Sequence, residues 1–148
     1  MPLILNLHGH DPVLHWESVV DILLNRKLLH ITHVIIETTG AAPINEDFIG
    51  ALNAWIFHPV KHLDVERKII WSNNPKLSTK HKDLLDIKPQ NILLQRGILG
   101  HDRFEQYFKF SCPAQRNDFI EVQSIMHQYY DAGIPQSSKV FIVPHKGH

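Results

Sequence analysis

The chain reads as an α/β protein, with about five parallel strands alternating with helices in the manner of a partial (β/α) barrel. Three observations predict this. Five short apolar runs each end in polar residues: Leu3–His8, Ile31–Glu37, Lys68–Ser72, Gln106–Ser111 and Lys139–Pro144. The segments between them have helical periodicity, and strand-helix alternation with short connections implies parallel strands joined by right-handed crossovers. The run Val34-Ile35-Ile36 is β-branched on both faces, as in a strand buried within a parallel sheet, and it stops abruptly at Glu37 and Gly40. In such folds the loops that follow the strands share one rim, where ligands bind.

Taken in order, Leu3–His8 is the first strand, and Gly9-His10-Asp11-Pro12 turns into a helix with Asp11 as N-cap and Pro12 at the first helical position. That helix runs to about Leu29. Trp16, Val19, Val20, Leu23 and Leu24 fall at i, i+3, i+4, i+7 and i+8, which makes one apolar face. After the second strand, Thr38–Ile44 forms a loop before a helix near Asn45–Phe57, with Phe48, Leu52, Trp55 and Ile56 inward; Pro59 ends its continuation. The third strand, Lys68–Ser72, meets the turn-rich Asn73-Asn74-Pro75-Lys76-Leu77. A short helix is expected near Thr79–Asp86. In the segment from Ile87 to Glu105, Pro89 is a candidate helix start, and Gly97 and Gly100 are breakers; its purpose is not legible. The fourth strand leads through Cys112-Pro113 to a helix with Asn117 as cap, an inward stripe of Phe119, Val122, Met126 and Tyr129, and Gly133 as stop. The last strand ends at Pro144, so no helix is expected to cover its far side.

At 148 residues the length suits one domain, 1–148, and a 43% apolar fraction with zero formal charge excludes a disordered chain and argues against a polyanion partner. No apolar run approaches the roughly 20 residues of a membrane span, and the opening Met1-Pro2-Leu3 has no basic flank, so a cytoplasmic location is the expectation. Cys112 is the single cysteine, which rules out an internal disulfide and any cluster needing three or four thiolates from this chain alone. It reads as a small core or loop residue. Of the twelve histidines, only His8, His10 and His145 fall at strand ends where they could converge. The rim would gather His8, His10, Asp11, Glu37, Thr38, Thr39, Asn73, Asn74, Lys76, Lys109, Ser111 and His145.

The order of these motifs resembles a known family. His8-Gly9-His10-Asp11-Pro12-Val13-Leu14 is similar to the Thr-Gly-Gly-Glu-Pro-Leu-Leu of radical S-adenosylmethionine (SAM) enzymes, and Ile36-Glu37-Thr38-Thr39-Gly40 to their Glu-Thr-Asn-Gly. Ser72-Asn73-Asn74-Pro75-Lys76-Leu77-Ser78 resembles a Ser-Val-Ser-Pro-Lys-Leu-Ser segment, Phe108-Lys109-Phe110 a Leu-Lys-Phe strand, and Val143-Pro144-His145-Lys146-Gly147 a Met-Pro-Glu-Gly ending. Together they resemble 7-carboxy-7-deazaguanine synthase of queuosine and deazapurine biosynthesis, over nearly the whole chain. The resemblance implies the distal part of a radical-SAM-type partial barrel. It also implies a lyase reaction in which the complete enzyme converts 6-carboxytetrahydropterin to 7-carboxy-7-deazaguanine. SAM is the implied cofactor, with room for Mg2+. Gly9, His10, Asp11, Glu37, Thr39, Asn74, Lys76, Lys109 and His145 are the implied SAM or substrate contacts.

The departures matter equally. The family holds a 4Fe–4S cluster on three cysteines in a loop before the Gly-Gly-Glu strand, and no such loop precedes Leu3, so the expectation is a truncated or split form, inactive alone. His10 replaces the second glycine, Asp11 shortens the acid, Thr39 replaces the asparagine and Asn74 the serine before Pro75. These changes leave a second reading open, a cluster-less binding or interaction module for SAM, a deazapurine or a protein. A third is a metal-dependent hydrolase on His8, His10, Glu37 and His145, whose nitrogen and oxygen ligands suit a catalytic metal. An open sheet edge beside Leu3–His8 predicts pairing with a second copy or with a cluster-bearing partner chain. No basic run accompanies the aromatic stripes, so neither nucleic acid nor membrane is an expected partner.

Overall fold

The structure is a computed structural model, and it describes residues 3–7, 11–25, 28, 30–58, 66–77, 89–98, 102–113 and 115–144. Nine elements alternate without exception among these residues: β1 (Leu3–Leu7), α1 (Trp16–Leu23), β2 (Ile31–Thr38), α2 (Glu46–Phe57), β3 (Lys68–Asn73), α3 (Pro89–Ile98), β4 (Phe104–Cys112), α4 (Arg116–Asp131) and β5 (Lys139–Pro144). The strands form one sheet in the order β1-β2-β3-β4-β5, and every neighbouring pair is parallel. Sequential order with crossovers of one hand keeps the helices on one side, as in a barrel wall.

Burial alternation identifies that side. On β2, Val34 and Ile36 are fully buried, whereas His33, Ile35 and Glu37 are only half-buried. Register carries the buried face across the sheet: Val34 lies beside Ile69, Ile36 beside Trp71, and Asn73 beside Phe108. Two apolar clusters cover it. One packs Val19, Leu23, Phe48, Leu52, Trp55 and Ile56 of α1 and α2 on β2 and β3, and the other packs Val122, Ile125, Met126 and Tyr129 of α4 on Phe108, Phe110 and Cys112 of β4. The opposite face, with Ile35, Glu37, Ile70, Tyr107 and Lys109, has no described helix over it.

Several expectations shift by a residue or a turn. The first helix starts at Trp16, and Asp11–His15 form successive turns, closed by Leu14 N to Asp11 O at 3.0 Å and His15 N to Pro12 O at 3.1 Å. Asp11 caps those turns rather than α1: its Oδ1 accepts from Val13 N at 3.1 Å, while Oδ2 reaches across to β2. The helix also stops early, at Leu23, and Leu24 is 68% exposed, so the inward face has Val19 and Leu23 at its centre. On α4 the cap is Gln115, not Asn117. The Asp118 carboxylate turns back to accept from Gln115 N at 3.0 Å, which places 118, 122, 125 and 129 inward and leaves Phe119 42% exposed. Gly133, at φ +102°, closes the helix as expected.

The segment without a legible purpose proves to be α3 plus the first residues of β4, which begins at Phe104 rather than Gln106. The expected helix near Thr79–Asp86 lies outside the described residues. The four inward residues expected on α2 are all buried, and Asn45 caps it by accepting from Asp47 N at 2.8 Å. Its C-terminal carbonyls, with no basic residue in the last turn, are met by distant arginines: Arg67 Nη1 donates to Trp55 O at 2.9 Å and Arg103 Nη1 to Ile56 O at 3.0 Å. Burial lowers the Arg67 pKa from its ordinary value, yet a guanidinium remains charged. No helix among the described residues is long and apolar enough to cross a membrane.

Candidate functional site

Two adjoining clefts open at the carboxyl ends of the strands. The first, of about 210 Å³, is lined by Asp11, Glu37, Thr38, Thr39, Asn74 and Lys76. The second, of about 260 Å³, is lined by Asn74, Pro75, Lys76, Lys109, Ser111 and Val143. They share Asn74 and Lys76, so the rim is one continuous groove from the loop after β1 to the end of β5. A larger hollow of about 650 Å³, lined by Gln106, Tyr107, Ser138 and Phe141 among others, lies at the amino ends of β4 and β5. Size does not decide between them. Parallel sheets offer their loops and their converging polar groups at the carboxyl ends, and the rim groove is where both are found.

The local chemistry separates residues that hold the groove from residues that remain available to a ligand. Asp11 belongs to the first kind. Its Oδ2 accepts from Thr38 Oγ1 at 2.9 Å, Thr39 N at 3.2 Å and Thr39 Oγ1 at 3.4 Å, and its Oδ1 accepts from Val13 N at 3.1 Å. One carboxylate thereby ties the loop after β1 to the end of β2. Asn74 N donates to Thr38 O at 2.8 Å, and Ser72 Oγ donates to Asn74 Oδ1 at 2.6 Å, which fixes the loop after β3 against the same point. Asn74 itself lines both clefts.

Glu37, Lys76 and Lys109 are of the second kind. Among the described residues their side chains have no hydrogen-bond or ionic partner. Glu37 follows the buried run that ends β2, Lys76 follows Pro75 in the loop after β3, and Lys109 points from β4 toward the face without helices. Strand order therefore arranges charge along the groove, with carboxylates on the β1–β2 side and ammonium groups on the β3–β4 side.

Of the nine residues expected here, six line the groove: Asp11, Glu37, Thr39, Asn74, Lys76 and Lys109. Gly9, His10 and His145 lie outside the described residues, as does His8 of the alternative metal set; among the described residues no group of three His, Cys, Asp or Glu could hold a metal ion. Asn73, expected on the rim, points to the helix side, where Nδ2 donates to Tyr107 O at 3.3 Å. Cys112 is buried in the core, one of the two places, core or loop, expected for it. Thr38 was legible as a rim residue but not as a site residue, although the doubled threonine after Glu37 is the signal for a hydroxyl that could clasp a neighbouring loop.

Fold and site together define a parallel α/β protein with sequential strand order and a charged groove across its carboxyl rim. Comparison with protein-family models, with curated proteins and with solved structures finds no match to this chain.

Proposed function

We propose that this chain is the distal section of a radical-SAM-type partial barrel of the 7-carboxy-7-deazaguanine synthase kind, and that its rim groove binds SAM. One observation carries the reading: the groove sets a carboxylate, Glu37, against two lysines, Lys76 and Lys109, across a shared middle at Asn74, and none of the three charges has a partner among the described residues. SAM has a sulfonium and an α-ammonium that suit the acidic side, and a carboxylate that suits the lysines. The two clefts together fall within the range of about 300–1,000 Å³ typical of small-molecule sites. A 4Fe–4S cluster does not fit the residues present, since it needs several thiolates and the sequence holds only the buried Cys112. Lyase activity on 6-carboxytetrahydropterin then requires a cluster-bearing segment from elsewhere. The β1 edge, where Leu3 is 47% and Ile4 53% exposed, is the place for such a partner or for a second copy.

The engagement of Asp11 by four donors favours a second reading. In the family that position is a glutamate available to an ammonium, whereas this carboxylate is already satisfied within the chain. A cluster-less module that binds a deazapurine or a protein at the same rim has no need of it.

Isothermal titration with SAM, with S-adenosylhomocysteine and with 6-carboxytetrahydropterin separates the two. The first reading expects SAM to bind, the neutral thioether to bind more weakly, and Lys76→Ala to weaken SAM by about 1.5–3 kcal/mol, the scale of one charge-assisted hydrogen bond. Absence of binding by SAM and by the pterin overturns it in favour of the module. Turnover of the pterin by the purified chain, with no partner and no cluster, would contradict the split-enzyme part.

A further inference from the structure

We propose that Asn91, on α3 and outside both clefts, is the positioning residue for the acidic end of the groove. It holds the loop after β2 in the shape that lets Thr38 and Thr39 bind Asp11. The inference deepens the site assigned above and rests on that reading only for the choice of SAM as a probe.

Asn91 is 4% exposed, and its amide is fully engaged by one stretch of main chain. Oδ1 accepts from Ile44 N at 2.8 Å, while Nδ2 donates to Ala42 O at 2.6 Å and to Gly40 O at 3.1 Å. A buried main-chain group without a partner is costly, so a single side chain that meets three such groups selects the path of the loop. The contact is continuous with the site. Gly40 N donates to Thr38 Oγ1 at 3.3 Å, and Thr38 Oγ1 in turn donates to Asp11 Oδ2 at 2.9 Å. Hydrogen bonds therefore run unbroken from α3 through Gly40 and Thr38 to the carboxylate.

The loop itself does not dictate this shape. Gly40 has φ +83°, a conformation open to glycine among many others, and a Cβ there would stand 2.8 Å from the Tyr129 hydroxyl of α4. α4 limits the loop on one side by contact, and Asn91 defines it on the other by hydrogen bonds. No other side chain substitutes well. Aspartate would set a carboxylate against two carbonyl oxygens, and leucine would meet none of the three groups.

The test uses the full chain with Asn91→Ala, with Asn91→Ser as the milder variant should the first fail to fold, and with Leu23→Ala at the end of α1, on the amino side of the sheet, as a control that destabilises the core away from the loop. Amide hydrogen exchange at Thr39 and Gly40 is compared with exchange at the β3 amides, and SAM affinity is measured alongside. We expect either Asn91 variant to accelerate exchange at Thr39 and Gly40 by at least about tenfold relative to β3, since even one of the three hydrogen bonds is worth about that factor. SAM affinity should fall by a similar factor, while Leu23→Ala moves both sets of amides together and leaves affinity unchanged. Equal acceleration at the loop and at β3 in the Asn91 variants overturns the proposal. If SAM does not bind the unsubstituted chain, the ligand reading fails and the exchange ratio alone decides the role of Asn91.

Discussion

Replacing Asp11 with alanine tests the central claim about how the rim is built. The substitution removes an acceptor from Thr38 Oγ1, Thr39 N, Thr39 Oγ1 and Val13 N at once. Hydrogen bonds to a charged group are worth about 1.5–3 kcal/mol each, and a buried donor left unmet costs about 1–3 kcal/mol. Thr38 and Val13 are buried, so their groups lose most, whereas Thr39 lies half-exposed in the cleft, where water can replace the carboxylate. The 3.4 Å contact is weak. Taking about 1–2 kcal/mol for each of the two buried donors, the lower part of that range because Asp11 itself is only half-buried, and discounting the others, Asp11→Ala should cost about 2–4 kcal/mol. For a chain of this size that lowers Tm by about 5–15 °C. Urea unfolding followed by circular dichroism is the assay, with a lower midpoint and an unchanged slope expected. Thr38→Val removes one partner from the other side, and the double variant should be less destabilised than the sum of the singles by about 1 kcal/mol. A loss below about 0.5 kcal/mol for Asp11→Ala, the level of an ordinary surface change, would refute the clasp.

Gly40→Ala should destabilise by about 1–3 kcal/mol, because the residue sits at φ +83° and its new Cβ would press on the Tyr129 hydroxyl; Tyr129→Phe should relieve only the steric part in a thermal-melt cycle. Burial raises the Tyr129 pKa above its ordinary value, so the unfolded chain loses that proton first as pH rises. Stability is then fully present below about pH 10 and declines from there toward the folded value, more steeply than in Tyr129→Phe, which a pH series of melting temperatures reads directly. Glu105→Gln, by contrast, should change stability by less than about 0.5 kcal/mol in urea unfolding, since its 2.7 Å pair with Lys68 is solvent-exposed. Cys112 should react with a thiol reagent only at the rate of unfolding, because its side chain is buried.

Strand-helix alternation, the parallel sheet and the rim as the place of the polar residues were legible because they depend on local pattern. A β-branched run such as Val34–Ile36 favours a buried strand wherever it stands, and an apolar stripe such as Phe48, Leu52, Trp55 and Ile56 gives a helix one face to bury. Eight of the groove residues, Thr38 and Ser111 among them, followed from position alone, since a residue just after a parallel strand lands on the rim. What each of them does there was not legible. Whether Asp11 caps its own helix or clasps Thr38, twenty-seven residues away, depends on which donors the sheet brings within 3 Å, and adjacency in the sheet is a long-range property. The same holds for α3. Asn91 in the sequence is an unremarkable polar residue in an ambiguous segment; only packing against the loop after β2 gives its amide three main-chain partners. Local propensity thus determined the elements and their order, while tertiary structure decided which carboxylate is engaged and which is open to a ligand, because hydrogen bonds between distant loops form only once the strands are side by side.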